Sequence, residues 1–87
     1  MNYIVEVCGP AKEFYNVTQV TLRIDHEVDS VAIKELLLQN LKSSELLEEA
    51  TSLFNSSVIA TEEKFFETTE ILPKNQMLFL IPPVCGG

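Results

Sequence analysis

The plainest chemistry in the sequence lies in its last stretch, Met77-Leu78-Phe79-Leu80-Ile81-Pro82-Pro83-Val84-Cys85-Gly86-Gly87. Five bulky apolar residues read as a buried strand. Pro82 and Pro83 end sheet pairing, because proline has no N–H to give to a ladder. They also favour an extended path of about 3.1 Å per residue. Val84 to Gly87 add roughly 13 Å when extended. Gly86 and Gly87 carry no Cβ, so a second protein can close on the terminal carboxylate from either side. A stiff base with a slim tip suits a narrow channel. A carboxylate is a poor electrophile and must first be activated, for example as an acyl-adenylate, from which a sulfur or nitrogen nucleophile displaces AMP. The sequence has no glycine-rich phosphate loop, and its two adjacent glycines are the terminal ones. The chain therefore reads as the substrate of an activating enzyme and not as the catalyst.

The remaining reactive side chains give less. Cys85 reads as a small residue at a tolerant tail position, with no basic neighbour to lower its pKa. Cys8 reads as a core or strand-edge thiol. A disulfide between the two would tether the tail, so both are expected reduced, in a reducing compartment such as the cytosol. His26, the single histidine, reads as a loop residue, and no zinc constellation accompanies it. No tightly bound cofactor is expected.

Eighty-seven residues, 46% of them apolar, make one domain with a modest core and little room for an internal active site. Thirteen acids against six bases give a net charge of −7. That balance argues against nucleic acid, whose phosphates would repel it. It favours a partner with a basic docking patch. The longest apolar run falls well below the roughly 18 residues a membrane span requires. Met1 to Pro10 lacks a basic residue and contains Glu6, which is unlike a secretory signal. No membrane association is expected.

The elements that must position the tail follow from periodicity. Asn2 to Cys8 reads as a strand, with Tyr3, Val5 and Val7 on one face and Ile4, Glu6 and Cys8 on the other. Gly9-Pro10 breaks it, and Ala11 to Tyr15 makes one helical turn with Phe14 inward. Val17 to Asp25 alternates strongly, with Val20, Leu22 and Ile24 pointing one way, so it reads as a second strand paired with the first. Asp29 or Ser30 caps a helix over Val31 to Leu41, whose stripe is 33, 36, 37 and 41. Ser43 or Ser44 caps a second helical piece carrying Leu46, Leu47, Ala50, Leu53 and Phe54. Its early acids, Glu45, Glu48 and Glu49, suit the helix dipole.

Val58 to Thr61 and Lys64 to Phe66 read as short strands turned by Glu62-Glu63, with Phe65 or Phe66 packed. Ile71 and Leu72 read as a small plug under a loop, and Pro73-Lys74-Asn75-Gln76 turns into the last strand. That strand is apolar on both faces: Leu78 and Leu80 on one, Met77, Phe79 and Ile81 on the other. The first helix can cover one face, and a partner protein is the expected cover for the second.

The ending Leu80-Ile81-Pro82-Pro83-Val84-Cys85-Gly86-Gly87 resembles that of the small, sulfur-carrying subunit of molybdopterin synthase, whose tail has the form Pro-Pro-Val-x-Gly-Gly. The element order is similar along the whole chain, while the motif is confined to about residues 77–87. The chain departs from the pattern at Asn75-Gln76, where that family often has Gly-Asp. Thiamine-pathway sulfur carriers and ubiquitin-related protein modifiers share Gly-Gly but usually lack the preceding Pro-Pro.

The resemblance implies an α+β, ubiquitin-like β-grasp fold: a mixed sheet of four to five strands on one main helix. The domain would span 1–81 and a flexible tail 82–87. It implies that Gly87 is adenylated by a ubiquitin-activating-type adenylyltransferase/sulfurtransferase and converted to a thiocarboxylate, so that glycyl-adenylate and 1-thioglycine are its covalent states. The tail, recognised through Pro82, Pro83, Val84, Cys85 and Gly86, would enter the large catalytic subunit of the synthase. There it would give sulfur to the pyranopterin precursor of the molybdenum cofactor, within a heterotetramer of two small and two large subunits. Met77, Phe79 and Ile81 would help form the docking surface.

Overall fold

The computed structural model describes residues 2–74 and 76–83. Five strands form one mixed sheet in the order β2-β1-β5-β3-β4. They are β1 (Asn2–Val7), β2 (Gln19–Arg23), β3 (Val58–Ala60), β4 (Phe65–Phe66) and β5 (Met77–Ile81). β1 and β2 are antiparallel, as expected, with Tyr3 opposite Leu22 and Val5 opposite Val20. β5 runs parallel to β1 and antiparallel to β3, so it is paired along both sides.

Two helices, α1 (Ser30–Leu38) and α2 (Leu47–Asn55), lie over one face of this sheet. Asp29 caps α1, its carboxylate accepting from the Ala32 N–H at 3.0 Å. This satisfies one of the four free donors of the first turn. α1 ends three residues short of the expected Leu41, because Gln39 is its C-cap and the Asn40 side chain donates back to the Leu36 carbonyl at 2.7 Å. Leu41 still packs half-buried against the core. A 3-10 turn, Ser44–Leu46, leads into α2 behind a Ser43 cap.

The core holds the inward parity of every long strand. Tyr3, Val5, Val7, Ile59, Leu78 and Leu80 are fully buried with Ile33 and Leu37 of α1 and Ala50 and Phe54 of α2. Phe54 stacks on Tyr15 (6.5 Å between centroids) and meets Phe14 edge-on at 6.1 Å. Phe14 comes from a 3-10 helix, Gly9–Phe14, in the place expected for one helical turn. The Tyr15 hydroxyl donates to the Leu37 carbonyl at 2.6 Å and ties this corner to α1. Lys34 reaches the Ser57 carbonyl at 2.6 Å and ties α1 to the end of α2.

The expected plug is divided between its two residues. Leu72 is buried and its N–H donates to the Val28 carbonyl at 2.9 Å, whereas Ile71 is 53% exposed. Ile71 forms an isolated bridge with Asp29, and that alternation turns its side chain away from the core.

Candidate functional site

β5 is the element on which the site is built. Leu78 and Leu80 are fully buried under the helices, and Met77, Phe79 and Ile81 are half-buried on the opposite face. α2 shares the core beneath α1, so among the described residues no helix crosses this second face.

The register shows which residues join Phe79 there. Ala60 sits between Phe79 and Phe65 in one row, and Val58 is beside Ile81. On the other side Ile4 is beside Met77 and Glu6 is beside Phe79. Phe65 is 67% exposed, and Val58 and Ile4 are also exposed. Met77, Phe79 and Ile81 are therefore the middle of a broader apolar face reaching from Ile4 to Phe65. Only Phe66 of the two adjacent phenylalanines turns to the core. The Lys64 ammonium lies 4.7 Å from its ring centroid and pairs with Glu70 at 2.6 Å. Single-strand alternation leaves open which phenylalanine faces out; pairing of Ile59 with Phe66 and Ala60 with Phe65 fixes it. Contiguous exposed apolar surface is uncommon on proteins that act alone.

The strand ends at a built corner. Cys8 donates its backbone N–H to the Leu80 carbonyl at 3.3 Å, extending the β1–β5 ladder by one bond. Gly9 follows with a φ of +57°, and a Cβ there would stand 3.5 Å from Cγ of Pro82. Pro82 is buried, on the same parity as Leu78 and Leu80, while Pro83 is exposed. Pro82 was expected in the projecting tail and as a recognition residue; in the fold it packs against its own body, beside Gly9. The other expected tail residues, Val84, Cys85, Gly86 and Gly87, lie outside the described residues.

The electrostatics around this corner are mild. The Cys8 thiol is pushed above its usual pKa by burial and by the Glu6 carboxylate, with Lys12 opposing. Lys34, away from the corner, is lowered by burial. Among the described residues no cluster of His, Cys, Asp and Glu could hold a metal, and no helix is long and apolar enough to cross a membrane.

No family model matches the chain, and no curated protein matches it. Solved structures do. SAMP1 from Haloferax volcanii is similar over 100% of both chains, with a TM-score of 0.71 and 14% identity. A chain from the protein–protein complex of subunits 1 and 2 of molybdopterin-converting factor from Helicobacter pylori 26695 is similar over 100% of both chains, with a TM-score of 0.58 and 22% identity. The chain has the ubiquitin-like β-grasp fold, with a mixed five-stranded sheet, as the sequence leads one to expect.

Proposed function

We propose that this chain is a ubiquitin-like sulfur carrier, the small subunit of a molybdopterin synthase. The observation that supports the reading most is the junction of β5 with Pro82-Pro83. A strand paired on both sides runs straight into a sequence that ends Val84-Cys85-Gly86-Gly87. The chemistry follows from the carboxylate. Gly87 attacks ATP on a separate adenylyltransferase, pyrophosphate leaves, and a sulfur nucleophile then displaces AMP to give the thiocarboxylate. The tail enters the large catalytic subunit and its sulfur passes to the pyranopterin precursor. The apolar face from Ile4 to Phe65 docks on that subunit, and two small subunits flank a dimer of large ones in the cytosol. The likeness to a chain in a complex of two molybdopterin-converting-factor subunits supports such a partner.

The test is the mass of Gly87 after incubation with activating enzyme, ATP and a sulfur donor. The expected shift is that of one oxygen replaced by sulfur, abolished when a residue is added after Gly87. An unmodified terminus with a competent enzyme would overturn the reading. Stable conjugates on lysines of other proteins would assign the chain to the protein modifiers instead. Sulfur transfer that serves thiazole assembly would assign it to the thiamine-pathway carriers.

A further inference from the structure

We propose that Ser30 and Lys34 form a binding site for the carboxylate of a small organic acid, in the cavity between α1 and the β3–β4 pair. Ser30 is 2% exposed, and its hydroxyl oxygen has no hydrogen-bond partner. A buried polar atom without a partner is uncommon and points to something that completes it. Lys34 stands four residues further on, so the two side chains share one face of α1. Its ammonium donates to the Ser57 carbonyl at 2.6 Å, which uses one of its three N–H bonds. That partner is neutral, and among the described residues no carboxylate pairs with Lys34. Burial lowers the Lys34 pKa, which a nearby anion would offset. A half-buried ammonium with donors to spare and no counter-ion suits an anionic ligand.

The cavity has room for such a ligand. Its volume is about 560 Å³, within the range of small-molecule sites. Ser30 and Lys34 both line it, and Ile59 and Phe66, paired across β3 and β4, give it an apolar wall. A molecule with a carboxylate at one end and an apolar body at the other matches that division.

The charges around the cavity set the class of anion. The Asp29 carboxylate already caps α1, accepting from the Ala32 N–H at 3.0 Å, and Glu67 lines the cavity. The anion is therefore held by side chains and not by the helix end. One ammonium offsets one negative charge, whereas a phosphate dianion would bring two into an acidic neighbourhood. A carboxylate brings a single charge and two oxygens, one for the Lys34 ammonium and one for the Ser30 hydroxyl, and both groups donate. Both anchors are on α1, so the site stands whether or not the chain carries sulfur.

The isotopically labelled full chain is titrated with benzoate and, separately, with neutral benzamide, and the amide shifts are followed by NMR. Benzoate is expected to saturate with a Kd on the order of 1 mM, moving the amides of Ser30, Lys34, Ser57 and Phe66 most. Benzamide keeps the shape without the charge and is expected to bind about tenfold more weakly. Lys34→Gln keeps a donor for the Ser57 carbonyl and removes the charge. It and Ser30→Ala should each weaken benzoate about tenfold. Ser30→Ala also removes a hydroxyl that has no partner, so the melting temperature of the free chain should hold or rise. That variant keeps the test decisive where Lys34→Gln fails to fold. Equal affinity for benzoate and benzamide, shifts scattered over the surface, or no shift at about 20 mM benzoate would overturn the proposal. Phenylphosphonate binding more tightly than benzoate would overturn the carboxylate assignment. A lower melting temperature in Ser30→Ala would mean that the hydroxyl is bonded in the free chain and would overturn its role.

Discussion

Leu80 and Phe65 occupy opposite faces of the sheet, and replacing each should separate folding from docking. Leu80 is fully buried between Ile59 and Val7 in the β-ladder. Leu80→Ala removes packed methyl groups and leaves a cavity, which costs about 3 kcal/mol in a well-packed core. For a domain of this size that lowers the melting temperature on the order of 15 °C. Phe65 is 67% exposed on the short edge strand. Phe65→Thr replaces one strand-favouring residue with another, the β-branched threonine, and at so exposed a position the cost should stay near 0.5 kcal/mol. An aromatic anchor at a protein contact is another matter, and truncating one commonly costs 1–2 kcal/mol of binding, about tenfold in affinity.

Thermal unfolding by circular dichroism and titration against the large subunit measure the two quantities separately. Phe65→Thr should melt within a few degrees of the parent, about 2–4 °C by the same scaling, and bind weakly. Leu80→Ala should melt far lower and, at a temperature where it is folded, bind nearly as well as the parent. If Phe65→Thr melted as low as Leu80→Ala, the assignment of the two faces would be wrong. If its affinity were unchanged, the face from Ile4 to Phe65 would not be the docking surface.

Three further outcomes test the elements that hold the site. Gly9→Ala places a Cβ in ordinary contact with Pro82, so the cost comes from the backbone at φ +57° and not from a clash; denaturant unfolding should show a loss of about 1–2 kcal/mol. Asp29→Ala removes the carboxylate that accepts from Ala32, and should lower stability by about 1 kcal/mol with Asp29→Asn largely restoring it. Burial raises the Tyr15 pKa, so the folded state resists an ionisation that the unfolded chain undergoes near pH 10. That contribution is complete below about pH 10 and is lost as pH rises further, because the unfolded state then binds fewer protons than the folded one. Denaturation midpoints between about pH 8 and pH 11 should therefore fall more steeply in the parent than in Tyr15→Phe.

How much was legible in the sequence depends on the range of the information. Alternation within a strand is local, and it correctly separates Tyr3, Val5 and Val7 from Ile4 and Glu6, and Leu78 and Leu80 from Met77, Phe79 and Ile81. Asp29 is legible as a cap for the same reason. What alternation cannot supply is how strands line up. Phe65 and Phe66 exchange roles with a shift of one residue, and the register that places Phe65 outward is set by Ala60, five residues away. The burial of Pro82 was not legible either. It involves a neighbour 73 positions earlier, Gly9, which lies beside Pro82 in the fold. The tail residues Val84 to Gly87 are legible as a motif alone, since they fall outside the described residues.

These long-range facts bear on delivery. A reactive group is useful to a partner when its point of departure is fixed by rigid elements. β5 is held by ladders on both sides, by a buried inner face, and at its end by Pro82 lodged beside Gly9. The residues that would touch a partner, Met77, Phe79 and Ile81, alternate on that same strand with the residues that anchor it. A partner seated on the open face is thereby registered to the origin of the tail, with no hinge between docking surface and departure point. The length left to reach a reaction chamber is then counted from Pro83, not from Ile81.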